Sequence, residues 1–290
     1  MISSPTAALE SANIKSRKLR ELVRAPEILV MPGAYDVLSA LLFEQLGFKA
    51  IQGTSGGIAA SLGYADGEVM DRSVFLDVSG RLAGAVSVPF NADGERGYGD
   101  EEQIRDTVRE LVARGVAGMN LEDGAIGKPG VRGLVPLSEQ LRKITAVMET
   151  KSALGSEFFL NARVDALHVM SDPEEALHEA IQRGNAYAEA GADCIFYLNL
   201  HAAATIRTVV TEVRAPVSIL AGPQSPSVGE LQDLGVARVS YGSGFLKAAA
   251  GGVKQLAQEI LEKGTVSYLK EAPQTPEIHA LVSRNKAARQ

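Results

Sequence analysis

Four stretches of this chain repeat one arrangement, and that repeat limits the available folds more than any other feature. LGFKAIQG, RGVAGMNL, AGADCIFY and LGVARVSY each place a glycine, Gly47, Gly115, Gly191 and Gly235, just after a helical pattern and just before an apolar run. The residue that follows a helix often takes a left-handed backbone, which a Cβ disfavours and glycine accepts. Four helix-to-strand junctions of one design predict a repeating βα chain.

Completing the series gives eight candidate strands, at 28–31, 50–53, 86–92, 118–121, 158–162, 194–197, 217–220 and 238–241. Helical patterns fill the intervals, among them 8–24, 36–46, 100–114, 138–151, 172–190 and 245–263. The strands are near-continuous apolar runs, as strands buried on both faces should be. The expected fold is therefore a (β/α)8 TIM barrel, with a doubly wound sheet as the runner-up. No linker-like stretch divides the 290 residues, so 1–290 reads as a single barrel domain, with an N-terminal helix in 1–25 and a C-terminal helical extension at 265–290.

A net charge of −6 argues against a nucleic-acid partner, and a single cysteine excludes a disulfide framework and a cysteine-rich metal site. No apolar run reaches membrane-spanning length, and the first residues lack the apolar core of a secretory signal, so a cytoplasmic protein with no membrane partner is expected. Cys194, inside a strand, reads as a small apolar residue.

Catalytic groups of such barrels sit at the C-terminal ends of the strands. Those ends carry Tyr35, Thr54, Ser55, Asp93, Glu95, Glu122, Asp123, Arg163, Asp165, Asn199 and Ser243. In VSVPFNADGERGYG, Asp93 and Glu95 are two apart, which on a strand would point both carboxylates the same way. Glu122 and Asp123 in GMNLEDG should arrive at the same mouth. Carboxylates without histidine or cysteine ligands favour a hard cation, Mg²⁺ or Mn²⁺, which can hold a carboxylate and an adjacent keto or hydroxyl oxygen while an enolate develops. Arg163, alone in FFLNARVDA, suits either a substrate carboxylate or an ion pair with one of the acids. The GTSGG stretch at 53–57 offers N–H groups and hydroxyls to an anion. Tyr98 and Tyr64 are candidates for a proton-handling or gating hydroxyl, with packing as the other reading, and His201 is expected to be the only histidine near the active face.

At these residues the sequence resembles the isocitrate lyase and phosphoenolpyruvate mutase superfamily over nearly its whole length. NADGERGYGD resembles that family's metal-binding strand, Asp-x-Asp/Glu-x-Gly-Tyr-Gly, which implies Asp93 as the metal ligand and Glu95 as the second acid. NLEDG likewise implies Glu122 as a third metal-site carboxylate, and NARVDA implies Arg163 as the substrate-binding arginine. Thr54, Ser55 and Gly56 match the turn that binds the substrate's carboxylate, and Asp66 in LGYAD falls where the mutase branch has a catalytic aspartate on a mobile loop. The resemblance further implies a last helix exchanged between subunits and a homotetramer built as a dimer of dimers.

Two departures matter. The C–C lyases of the family carry Lys-Lys-Cys-Gly-His after the fourth strand, whereas GAIGKPGVRGLVPL has Lys128 but neither cysteine nor histidine. The mutase branch usually has a histidine at the end of the sixth strand, and this chain has Leu198 and Asn199 there. The expected activity is thus a Mg²⁺-dependent lyase that cleaves a C–C bond of a 2-oxo or 2-hydroxy carboxylate through a metal-bound enolate. Asp66, Tyr98 and Arg163 are its expected catalytic residues. Tyr35, Thr54, Ser55, Gly56, Asp93, Arg163 and Asn199 are its expected substrate contacts. Phosphoenolpyruvate mutase or phosphonopyruvate hydrolase chemistry on a C–P bond, and a non-catalytic barrel that binds 2-oxo acids, are the alternatives.

Overall fold

The computed structural model describes residues 5–126 and 132–287. Its strands are β1 (Leu29–Met31), β2 (Gly33–Ala34), β3 (Ile51–Gly53), β4 (Phe90–Asp93), β5 (Gly118–Glu122), β6 (Gly124–Ile126), β7 (Arg132–Leu134), β8 (Phe159–Val164), β9 (Cys194–Tyr197), β10 (Val217–Leu220) and β11 (Arg238–Ser240). The helices are α1 (Pro5–Val23), α2 (Val37–Gln45), α3 (Ser55–Ser61), α4 (Arg72–Ala85), α5 (Glu101–Ala113), α6 (Leu137–Leu154), α7 (Ala166–Val169), α8 (Pro173–Glu189), α9 (Ala203–Glu212), α10 (Val228–Asp233), α11 (Gly244–Lys263) and α12 (Thr275–Ala287), with a 3₁₀ turn at Ser267–Glu271.

Nine strands form one parallel sheet in the order β1-β11-β10-β9-β8-β5-β4-β3-β2. The predicted first strand, 28–31, appears as β1, and Pro32 separates it from a further short piece, β2, so nine pieces fill eight barrel positions. Proline has no N–H to continue a ladder. Above the break β2 pairs only with β3, and below it β1 pairs only with β11, which brings the two edges of the sheet together. Gly33 sits at this seam, where a Cβ would lie 2.0 Å from the carbonyl oxygen of Gly242. Gly33→Ala is therefore expected to destabilise the fold by at least about 1–3 kcal/mol, read as a lower urea midpoint; an unchanged midpoint would remove the argument for a tight seam.

The four junction glycines all take the expected left-handed backbone, with φ of +90° at Gly47, +76° at Gly115, +106° at Gly191 and +87° at Gly235. The strand expected at 86–92 begins only at Phe90, because α4 runs to Ala85 and Pro89 contributes just its carbonyl, to Ile51 N at 2.9 Å. Two other strands run longer than expected. β5 reaches Glu122 and β8 reaches Val164, and their register sets Glu122 opposite Arg163.

The helix α1 closes the N-terminal end of the barrel. Leu19 and Val23 pack with Met31 and with Leu29, Ala50, Ala117, Phe159 and Cys194, the last five at or just before the strand starts. Arg20 fixes the closure, with Nε on Asp193 at 2.7 Å and Nη1 on Glu157 at 3.1 Å. Cys194 is fully buried, as expected of an apolar packing residue, and burial pushes its thiol up to about 12. Inside the barrel, Asn91 donates to Gln52 at 2.9 Å and to Asn120 at 3.0 Å, and Asn161 donates to Asn120 at 2.7 Å. This amide ladder holds Asn120 directly beneath the acidic mouth.

The C-terminal segment is helical, as predicted, and α12 packs back against α2. By contrast α11, the eighth barrel helix, has no buried residue along its 20 positions. No helix among the described residues is long and apolar enough to cross a membrane.

Candidate active site

Asp93 ends β4. Its Oδ2 accepts the Ser55 N–H at 2.9 Å, and its Oδ1 accepts from Asn120 Nδ2 at 3.3 Å. Thr54, the residue that precedes α3, makes no side-chain cap of its own, so Asp93 performs that role from a neighbouring strand. The Ser55 amide, expected to face a substrate carboxylate, is thus engaged with Asp93.

Glu95 does not share a strand face with Asp93 as expected. The strand stops at Asp93, and Glu95 sits in a turn with φ of +44°. That turn, and not the strand pleat, aims its carboxylate, which accepts the Tyr98 hydroxyl at 3.2 Å and the Glu68 N–H at 2.6 Å. Burial raises Glu95 to about 7, with Asp93, Asp66 and Glu68 adding to the shift. Tyr98 stacks on Phe75 with ring centroids 4.8 Å apart. Burial, reinforced by Glu95, pushes its phenol far above the ordinary range, so Tyr98 serves as a fixed donor to Glu95.

The carboxylate of Glu122 pairs with Arg163 across the β5–β8 register and with Arg96 Nη1 at 3.5 Å. Arg163 also grips Asp165 in a fork, Nε to Oδ1 at 2.7 Å and Nη2 to Oδ2 at 3.1 Å. Burial pushes Glu122 up to about 8 against the pull of Arg163, with Asp165, Asp93 and Glu95 assisting. Burial opposes the charge on Arg163, yet Glu122 and Asp165 outweigh it and hold the guanidinium above its ordinary value. Asp123 is not part of this cluster, contrary to expectation. Successive strand residues face opposite ways, and Asp123 points outward to Tyr187 Oη at 2.7 Å, Arg183 Nη1 at 3.1 Å and the Asp165 N–H at 2.8 Å.

A cavity of about 300 Å³ opens among Asp66, Arg96, Glu122, Arg163, Asp165 and His168, with the β6–β7 hairpin as one wall. Asp66 lies over the turn at Gly56, where a Cβ would come within 2.9 Å of Asp66 Oδ2. Thr54 is buried beneath it, and Tyr35 is half-buried at the end of β2. Asn199 lies outside this cavity. It has φ of +56°, contacts His168 Nδ1 at 3.0 Å and lines an adjoining cavity of about 290 Å³ with His201, Leu220 and Pro223. The histidine on the cavity wall is therefore His168, where His201 was expected. Lys128 lies outside the described residues.

Sequence reasoning also passed over Glu68 and Arg96. The available signals were a lone basic residue within an acidic motif and a second acid two positions after Asp66.

The residues fit a hard cation in a limited sense. Among the described residues, no group of three or more His, Cys, Asp or Glu side chains is gathered to hold a metal ion. The available donors are all oxygen, however, and the negative charge of Asp93, Asp66 and Glu68, which adds to the burial-driven rise at Glu95, is charge that a divalent ion offsets. Mg²⁺ is commonly held by one or two carboxylates with water completing the octahedron, which suits Asp93 as a direct ligand and Glu95 and Glu122 acting directly or through water.

Comparison with known proteins agrees with this geometry. The chain is 31% identical over 258 residues to a 2-methylisocitrate lyase of Bacillus subtilis, covering 86% of this chain and 82% of that protein. It is 27% identical over 272 residues to a phosphoenolpyruvate phosphomutase of Tetrahymena pyriformis, covering 90% and 89% of the two. A solved structure of oxaloacetate acetylhydrolase with the product oxalate superposes with a TM-score of 0.84 at 27% identity, over 94% of this chain and 95% of the other. The sequence profile of phosphoenolpyruvate phosphomutase matches residues 19–261, and the chain accordingly belongs to that family, within the isocitrate lyase and phosphoenolpyruvate mutase superfamily.

Proposed function

We propose that this protein is a divalent-metal-dependent lyase, served by Mg²⁺ or Mn²⁺, that cleaves a C–C bond of a 2-oxo or 2-hydroxy carboxylate in the cytoplasm. The observation that carries this reading is the cavity at the C-terminal mouth of the barrel. It is lined by Asp66, Glu122 and Arg163 together, while Asp93 and Glu95 stand at the same end of the barrel on the neighbouring strand and turn. When bound, the cation supplies a Lewis acid that polarises a carboxylate and the keto or hydroxyl oxygen beside it.

The chain's own residues do the rest. Arg163 exchanges part of its pairing with Glu122 and Asp165 for the substrate's carboxylate, which the Ser55 hydroxyl and the Gly56 N–H of the 54–56 turn also meet, while the Ser55 N–H stays with Asp93. Asp66 closes the site as base or nucleophile. Tyr98 keeps Glu95 oriented through its hydroxyl.

The test is incubation with oxaloacetate, a substituted malate and phosphonopyruvate in the presence of Mg²⁺, followed by analysis for 2-oxo acid, oxalate and inorganic phosphate. C–C products without phosphate support the lyase. Phosphate, or phosphonopyruvate converted to phosphoenolpyruvate, would instead favour the C–P chemistry to which the family profile and the Tetrahymena relative lend weight. Binding of 2-oxo acids with no product would reduce the protein to a non-catalytic binder.

We also propose that α11 is exchanged between two subunits, and that two such pairs form a homotetramer. The helix supports this by leaving Val253 71% and Leu261 86% exposed, a cost that a partner's barrel would remove. Val253→Glu with Leu261→Glu is expected to shift the mass measured by light scattering to that of a single 30.6 kDa chain. A wild-type protein that is already monomeric would end the proposal.

A further inference from the structure

We propose that Glu68 and Arg96 form a latch that holds the Asp66 segment closed over the cavity, which makes both of them positioning residues for the reaction centre. The proposal rests on the reading of Asp66 and the acidic mouth as that centre.

The segment is anchored at its α4 end by Met70, which is buried in the core, and is held elsewhere by few contacts. It joins the end of α3 at Ser61 to the start of α4 at Arg72, and Tyr64 and Val69 stand exposed on it. Gly63 and Gly67, with φ of +83° and +98°, give it two pivots. Its one dense set of contacts runs through Glu68. The Glu68 carboxylate accepts the backbone N–H groups of Arg96 and Tyr98, both at 2.9 Å, and pairs with Arg96 Nη2 at 3.4 Å. The Glu68 N–H in turn donates to Glu95 at 2.6 Å. Arg96 Nη2 reaches the Gly67 carbonyl at 3.0 Å, while Nη1 meets Glu122 at 3.5 Å.

These contacts join two segments that each hold an unfavourable backbone. Glu68, Glu95 and Tyr98 have φ of +59°, +44° and +58°. A residue with a Cβ stays in that region only where its surroundings enforce it. Glu68 supplies the enforcement on both sides at once, because its side chain satisfies the turn at 96–98 and its own amide satisfies Glu95. Opening the segment would therefore also remove a hydrogen-bond partner from Glu95. In the closed state Asp66, two residues before Glu68, is held against the Gly56 turn, and Arg96 ties the closed segment to Glu122 on β5. Entry of substrate and orientation of the acids become one coupled event.

Amide hydrogen exchange on the full chain, without substrate, reads the latch directly. Glu68→Ala is expected to speed exchange across residues 63–69 by about tenfold or more, with the barrel strands and the thermal midpoint unchanged. Arg96→Gln opens the same segment from the other side, which keeps the test usable if the first variant folds poorly. The double variant should add little beyond the larger single effect. With the substrate identified by the panel above, Glu68→Ala should lower kcat by about tenfold or more and move KM by less than about threefold. Glu68→Gln, which keeps an acceptor oxygen for the two N–H groups, should fall between the two. Unchanged exchange in both single variants overturns the latch, whatever the activity. Faster exchange with unaltered kcat overturns the positioning role. A wild type inert toward every acid overturns the proposed function and leaves the exchange result standing.

Discussion

Asp93→Asn is expected to lower kcat/KM by at least about a thousandfold while changing the unfolding free energy by no more than about 1 kcal/mol. The two effects separate because Asp93 holds two jobs. As a charge it is the proposed direct ligand of the cation. As a shape it accepts the Ser55 N–H at the start of α3 and the Asn120 amide, and the asparagine oxygen can still take the first of these. Asp93→Ala would lose both jobs, adding the cost of an empty cap, about 0.5–2 kcal/mol. Steady-state kinetics over a Mg²⁺ titration, with urea unfolding in parallel, checks both halves. Near-native turnover by Asp93→Asn would remove the cation site from the proposed mechanism.

The largest expected effect on stability lies behind the site, at Arg183. Its guanidinium joins Asp123, the Tyr187 hydroxyl, Glu179 and the Val135 carbonyl, and Asp123 is fully buried. Arg183→Met would leave the Asp123 charge without its cation, at a cost of about 3–5 kcal/mol. Pairing it with Asp123→Asn should restore most of that loss, since the penalty comes from an orphaned charge and not from the missing pair. Urea unfolding of the two single variants and the double closes the cycle, and additive losses would show that the buried pair is not coupled. The same network holds the hairpin that walls the cavity, because Val135 N also donates to the Asp123 carbonyl at 2.9 Å. Arg183→Met should therefore expose residues 124–126 and 132–135 to faster amide exchange.

The barrel was legible in the sequence because each junction glycine encodes a backbone state in a single residue, and neither Gly47 nor Gly235 needed a tertiary contact to be read. The break at Pro32 was visible as a proline but not as the seam of the ring, which depends on β11 arriving from the far end of the chain. Within the site, Asp93 and Arg163 could be placed because a strand delivers them. The aim of Glu95 could not, since its left-handed turn is imposed by Glu68 and Tyr98. Asp123 was misplaced because its facing depends on how far β5 runs, and one further residue of strand turned it outward. Arg96 and Glu68 were passed over because their bond spans 28 positions between two loops, a separation that carries no periodicity.

The closure of the barrel's lower end also sets a timetable. The helix α1 is synthesised before every strand of the barrel it seals, yet Arg20 finds Asp193 only across 173 residues. At roughly 5–20 residues per second, that partner emerges roughly nine to thirty-five seconds later. During that interval the apolar side of α1, with Leu19 and Val23, has no barrel to seal. A piece made before the barrel is among the last to find its place.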